Sequence, residues 1–295
     1  MTSMKVIVFS KMLSEKSIGE LIELGHSHDL DGYDLCIRPG HPVTPENVRD
    51  TLVPAVRALS DAGLCVPMAT ADITLTSPDD PTAEPILAAL DTANVRLLKL
   101  GYTFFDPVRQ RYWDEVDRIR RDNERWAILA QRYDVKVCYH THNERVIGLN
   151  AAALCHLING FDPQYIGAYL DPTHLILEGE EFAFGLAMIQ DYLSIVAGKD
   201  VLKFRVDKAD HGAYSYHGVP AGKGMVDWTA VFADLKRIGY DGPLSVHCEW
   251  HDAGTQFFDI LRREIAFFKR HREAAGIPAN AGDVGGQTHE STGSL

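Results

Sequence analysis

Long hydrophobic runs are missing from this chain. No stretch of 18 apolar residues occurs among its 295 residues, which argues against a membrane-spanning helix. Basic charge is also short: 29 Lys and Arg stand against 41 Asp and Glu, a formal net charge of -12. So acidic a chain argues against nucleic acid and anionic membranes as partners, and says nothing against a small neutral sugar. Cysteines are few, odd in number and widely spaced: Cys36, Cys65, Cys138, Cys155 and Cys248. They read as reduced core thiols in a cytoplasmic protein, not as a disulfide framework. Met1 to Val6 shows no charged stretch leading into an apolar one, so no secretory signal is expected.

Two further absences bear on the fold. No Gly-x-Gly-x-x-Gly follows the first apolar run, which weighs against an open dinucleotide-binding sheet. No Asn-Gly links two strand-like runs, so there is no hairpin signal.

What is present is an alternation. Short apolar runs lie at 5–10, 32–37, 65–71, 95–100, 135–140, 165–170, 201–206 and 243–248. Amphipathic, helical segments separate them, at 17–24, 44–59, 84–93, 113–133, 149–159, 180–197, 228–238 and 256–271. In the segment 44–59, Thr44 is the expected N-cap, Pro45 opens the helix and Pro54 bends it. Hydrophobic residues make up 45% of the chain, enough for one large core. Eight strand-helix repeats predict a single α/β domain, a (β/α)8 TIM barrel over 1–276. The Gly-, Ala-, Ser- and Thr-rich remainder, 277–295, reads as a flexible tail.

In such a barrel, chemistry sits at the carboxyl ends of the strands. The fifth run ends Tyr139-His140-Thr141-His142-Asn143-Glu144, the sixth leads into Asp171-Pro172-Thr173-His174, and the eighth ends His247-Cys248-Glu249. Alternation along a strand gives His140 and His142 one direction, and His247 and Glu249 another shared one. Imidazole and carboxylate donors converging on one mouth suit a divalent ion, Mn2+ first, with Zn2+, Co2+ or Fe2+ as alternatives. Lys203 and Arg205, on the expected seventh strand, point into the barrel to bind a substrate oxygen or to pair with Glu249 or Asp171. Arg38 and Lys99 close the second and fourth runs and are further candidates for substrate binding, with Glu144. Tyr102, Phe104 and Phe105 offer an apolar pocket wall, and Asp34 lies inside the barrel. Pro220-Ala221-Gly222-Lys223-Gly224 lacks P-loop spacing and reads as a loop closing onto the next helix rather than a phosphate cradle.

At these residues the chain resembles the sugar phosphate isomerase/epimerase group of xylose isomerase-like barrels, over roughly residues 4–270. The resemblance rests on Asp31-Gly32-Tyr33-Asp34-Leu35, Arg38-Pro39-Gly40, Tyr139-His140-Thr141-His142, Asp171-Pro172-Thr173-His174, the loop from Pro220 to Trp228, and Gly242 to Glu249. It implies a metal set of Glu, Asp, His and Glu from the last four strands. Asp171 matches the Asp, His140 replaces the first Glu, the strand-seven position falls near Val201, and the final Glu falls at His247. The expected metal site is therefore a rearranged one of His140, Asp171, His247 and Glu249. His142 and His174 would face the substrate.

The implied activity is an isomerase or epimerase that moves a proton next to the carbonyl of a sugar or polyol, with the metal as Lewis acid. Glu249 or Glu144 would act as base, His142 or His174 as donor to oxygen, and Lys203 would steady an enolate. Loss of a hydroxyl would make it a dehydratase. The altered ligand positions raise the alternative of a non-catalytic small-molecule-binding or partner subunit. Homo-oligomerisation is left open.

Overall fold

The computed structural model describes residues 3–251 and 253–279. Eight parallel strands close into one barrel: β1 (Val6–Phe9), β2 (Gly32–Ile37), β3 (Cys65–Ala71), β4 (Leu97–Lys99), β5 (Lys136–His140), β6 (Ile166–Leu170), β7 (Leu193–Gly198) and β10 (Leu244–Val246). The ring runs β1-β10-β7-β6-β5-β4-β3-β2, so every strand is paired on both sides and no edge is left open. Around it lie α1 (Ile18–Ser27), α2 (Val48–Asp61), α3 (Ala83–Thr92), α4 (Tyr112–Tyr133), α5 (Ala151–Ile158), α6 (Pro172–Leu177), α7 (Phe182–Ile189), α8 (Trp228–Arg237) and α9 (Phe257–Ala274).

Most of the core fills the layer between strands and helices, including Leu35, Leu52, Trp126, Leu154 and Phe268. Inside the barrel the apolar cluster is small: Ile7, Met68, Cys138, Tyr169, Ile195 and Ala197. Polar groups share that interior, so each must find a partner. Asp34 lies there fully buried, accepting from Thr70 Oγ1 (2.7 Å) and Ser245 Oγ (3.0 Å). Burial pushes its carboxyl up to about 6, although both hydrogen bonds oppose the shift.

The seventh strand corrects the sequence reading. The run 201–206 is not in the barrel. The barrel strand is Leu193–Gly198, most of which the sequence suggests as the end of a helix over 180–197. Residues 201–206 lie within β8 (Asp200–Asp207), which pairs antiparallel with β9 (Gly212–Val219) in a hairpin outside the barrel. The physical reason is burial. Ser194 to Gly198 are all buried, as a parallel strand covered on both faces demands, whereas Leu202, Arg205 and Asp207 are exposed.

All five cysteines are free thiols. Among the described residues no helix is long and apolar enough to cross a membrane. Most of the expected tail lies outside the described residues. Within them Ile277 is buried and Pro278 O accepts from Met4 N (3.1 Å).

Candidate functional site

The strand ends place the site. His140 is the last residue of β5, Asp171 follows β6, Lys199 follows β7 and His247 follows β10. Asp171 also caps α6: its Oδ1 accepts from Thr173 N (2.9 Å) and His174 N (3.3 Å). That leaves Oδ2 facing His140 Nε2 (3.3 Å), His174 Nε2 (3.4 Å) and Lys199 Nζ (3.0 Å). Lys199 Nζ lies 2.8 Å from His174 Nε2 and 3.5 Å from Glu249 Oε2. Glu249 also pairs with Lys11, on the short helical turn Ser10–Leu13 after β1.

Hydrogen-bond logic assigns the tautomers. A carboxylate only accepts, so His140 Nε2 carries the proton toward Asp171, and its Nδ1 accepts from the Tyr102 hydroxyl (2.7 Å). An ammonium only donates, so His174 Nε2 accepts from Lys199 and the proton sits on Nδ1, which is buried without a partner. His142 Nδ1 meets the Asn143 carbonyl (2.9 Å) and must donate, which leaves a lone pair on Nε2. His247 Nε2 meets the Tyr169 hydroxyl (2.6 Å).

The charges follow from burial. Burial holds His140, His142 and His174 below the usual imidazole range and takes His247 down to about 3. Lys199 adds to the drop at the last three. Burial would raise the Asp171 and Glu249 carboxyls, but Lys199 and the neighbouring groups outweigh it and hold both well below the carboxylate range. Burial would lower Lys199, yet Asp171 and Glu249 raise it. The resting site is neutral imidazoles, two carboxylates and an ammonium.

A cavity of about 250 Å3 opens on these groups, lined by His142, His174, Lys199, His247, Glu249 and Glu144. The hairpin β8–β9 walls one side. Tyr216 donates to Glu144, and Gly218 approaches so closely that a Cβ there would lie 2.1 Å from Glu249 O. Glu144 and the adjacent Arg145 both adopt φ of 64°, a strained conformation for side-chain-bearing residues. A larger groove of about 720 Å3 lies by α2 and α3, lined by Arg49, Pro78, Asp79 and Glu84, away from the imidazole cluster.

Most of the residues singled out from the sequence meet here: His140, His142, Asp171, His174, His247, Glu249 and Glu144. Lys203 and Arg205 do not. They ride on the hairpin, where Lys203 donates to Leu177 O (2.8 Å) and Arg205 pairs with Asp207 at an exposed surface. Lys99 is buried in the barrel off the cavity, its ammonium nitrogen 3.4 Å from the centre of the Tyr102 ring and without a hydrogen bond. Burial and Arg38 hold its pKa well below the usual lysine range. Arg38 Nε donates to Ala71 O (3.0 Å) and its guanidinium lies over Phe9. Tyr102 orients His140 instead of forming an apolar wall, and Phe104 is exposed. The residue that sequence reasoning missed is Lys199. The available signal was its place right after a β-branched, uninterrupted apolar run, Ser194-Ile195-Val196-Ala197-Gly198.

The glycine-rich loop is filled from within. Asp200 Oδ2 accepts from Gly222 N (2.9 Å) and Gly224 N (3.1 Å), and Oδ1 from Val226 N (3.1 Å) and Val201 N (2.8 Å). Its amides hold a carboxylate of the chain itself, and the loop closes onto α8 as the sequence suggested.

His140, Asp171 and His174 each offer a donor atom, all within 4.8 Å of one another, a cluster of the kind that holds a metal ion. As arranged, however, the donors do not fit one. An ion needs lone pairs at about 2.0–2.2 Å. His140 Nε2 bears a proton, His174 Nε2 and Asp171 Oδ2 accept from Lys199, and the ammonium stands within 3.0 Å of both.

Inosose dehydratase from Lacticaseibacillus casei is 27% identical over 177 residues, 57% of this chain and 57% of the relative, so the chain spans little more than half the length of the curated relatives it matches. Among solved structures, a probable 3-DHS dehydratase of petrobactin synthesis from Bacillus anthracis superposes with TM-score 0.69 at 13% identity, covering 90% of this chain and 99% of the other. D-psicose 3-epimerase from Clostridium cellulolyticum H10 superposes with TM-score 0.64 at 14% identity, over the same shares of the two chains. The family model described as xylose isomerase-like TIM barrel matches residues 22–271, and the chain belongs to that family.

Proposed function

We propose that this protein removes a proton next to the carbonyl of a small polyhydroxylated ketone and then expels a hydroxyl as water, a dehydratase acting on a keto-polyol or keto-sugar. The observation that carries the reading is the cavity of about 250 Å3 lined together by His142, whose Nε2 is left with a lone pair, by Lys199 and by Glu249. Its size lies below the range of roughly 300–1,000 Å3 typical of pockets for drug-sized ligands.

In the first step the substrate C–H bond breaks and its proton moves to His142 Nε2. The electron pair passes to the carbonyl oxygen, and the Lys199 ammonium donates to the resulting enolate. In the second step the pair returns to form C=C, the neighbouring C–O bond breaks, and His142 gives the same proton to the departing hydroxyl. One base suffices, and it ends as it began. Asp171 orients Lys199 and His174, and Tyr102 fixes the His140 ring behind them.

Epimerisation is the second reading, favoured by the placement of His142 and Glu249 on strand ends three places apart round the ring. It would use the same enolate, reprotonated from the other face. Dehydration is preferred for a physical reason: both groups rest without a proton, and a two-base epimerase needs one of them protonated at the start. The inosose dehydratase likeness points the same way.

The test incubates the full chain with a keto-inositol, a 3-keto sugar and a ketohexose in D2O, followed by NMR and ultraviolet absorption. Loss of the proton from the carbon next to the carbonyl and a growing enone band on one substrate are expected. Exchange with an inverted centre and no enone would make the protein an epimerase. Neither an enone nor exchange on any of the three would sink the proposal.

A further inference from the structure

The geometry points to Lys199 as the resident cation of this site: its ammonium stands where a divalent ion would otherwise be gathered by Asp171, His174 and Glu249, and presents its charge to the cavity. The inference deepens the proposed reaction and rests on that reading only for what the charge is used for. Three observations support it. First, the lone pairs an ion would need are in use. His174 Nε2 and Asp171 Oδ2 lie 2.8 and 3.0 Å from Lys199 Nζ, and His140 turns an N–H toward Asp171. Second, charge already balances. The carboxylates of Asp171 and Glu249 face Lys199 and Lys11, so a divalent ion would add two positive charges without a counter-charge in a buried setting. Third, the ammonium has a hydrogen to spare. Of its three donors two are well held, and the third reaches Glu249 only at 3.5 Å, beside the cavity that Lys199 lines. That N–H can turn to a carbonyl or enolate oxygen.

The backbone holds the lysine in place. Its carbonyl accepts from Thr173 Oγ1 (2.8 Å), which ties the end of β7 to α6 and to the Asp171 cap. A side chain on a rigid strand end is fixed more closely than one on a loop.

The test needs no substrate, so it stands whether or not a keto-polyol is turned over. The full chain, purified without chelator, is analysed for bound metals and titrated calorimetrically with Mn2+ and with Zn2+, beside Lys199→Ala and Lys199→Arg. Wild type and Lys199→Arg are expected to carry no stoichiometric metal and to keep their Tm in EDTA. Lys199→Ala frees three donors, and is expected to bind one Mn2+ or Zn2+ at least about tenfold more tightly than wild type, with a Tm that rises on adding the ion. One tightly held ion per wild-type chain overturns the inference, as does a folded Lys199→Ala that gains no affinity. Should Lys199→Ala fail to fold, the wild-type and Lys199→Arg titrations decide: no ion supports the inference and one ion overturns it. If metal is absent yet no ketone in the panel loses or exchanges its proton, the proposed reaction fails while the assignment of Lys199 stands.

Discussion

Asp171 shows how one side chain can carry two duties with two oxygens. Oδ1 caps α6 and Oδ2 neutralises Lys199 inside the protein. An asparagine there can still cap with its carbonyl. Its amide nitrogen, however, would face the His140 N–H and the Lys199 ammonium, donor against donor. Removing one partner of a buried pair typically costs about 3–5 kcal/mol, because the other charge is left stranded. Asp171→Asn is therefore expected to lose on the order of 3 kcal/mol in urea unfolding. Asp207→Asn, which breaks an exposed pair with Arg205, should stay within about 0.5 kcal/mol of wild type. Equal losses from the two variants would show that the Asp171–Lys199 pair is not the buried keystone described here. At this scale the sequence was informative where histidines and carboxylates sat at strand ends, as His140, Asp171 and His247 do. It gave Tyr102 only as an apolar wall and was silent on Tyr169, whereas the hydroxyls of both meet two of those rings from other strands.

Among the elements, the hairpin β8–β9 and the loop after it depend on Asp200. Its carboxylate gathers four backbone amides, of which those of Val201 and Val226 would otherwise be buried without an acceptor. Each such orphan costs roughly 1–3 kcal/mol. Asp200→Ala should lower stability by about 3 kcal/mol or more, and hydrogen exchange at Gly222, Gly224 and Val226 should accelerate. Unchanged exchange at these amides would mean that the loop holds itself. The hairpin also explains what was not legible beforehand. Seven of the eight barrel strands could be read from apolar runs. The seventh could not, because its run follows α7 without a strong break and looks like more helix. The hairpin turn, Lys208-Ala209-Asp210-His211, lacks Asn-Gly, and its cue was the alternation in Gly212-Ala213-Tyr214-Ser215-Tyr216. A strand lost and a strand mistaken moved the expected lysine from 199 to 203. Local turn chemistry misled once more at Thr44, which exchanges hydrogen bonds with Asn47 in a turn, so that α2 starts at Val48.

Over the whole molecule, the buried site fixes how stability must respond to acid. Unfolded histidines take protons near pH 6.5, whereas His140, His142, His174 and His247 resist them in the native state, His247 down to about 3. Lys99 likewise has a depressed native pKa. For each of these groups the unfolded chain binds more protons below its own pKa, so stability falls as pH drops through that range. Asp171 and Glu249 act in the same direction at lower pH: their stabilisation is present above the unfolded carboxyl value near 4 and is lost as pH falls through their depressed native values. Three carboxyls oppose the trend, Glu178 among them, raised by burial. Asp34, raised to about 6, and Glu264, raised to about 8, are protonated in the native state where the unfolded chain is ionised, which favours folding on the acid side of those values. The four site imidazoles, joined by His41, outnumber the three raised carboxyls, so the net sign between pH 6 and pH 5 is uptake of protons on unfolding. The urea midpoint should fall from pH 7 to pH 5, and unfolding heats measured near pH 5.5 in buffers of different ionisation enthalpy should report proton uptake. Proton release there would mean that the imidazoles are charged in the native state, which would also remove the neutral His142 lone pair on which the proposed chemistry relies.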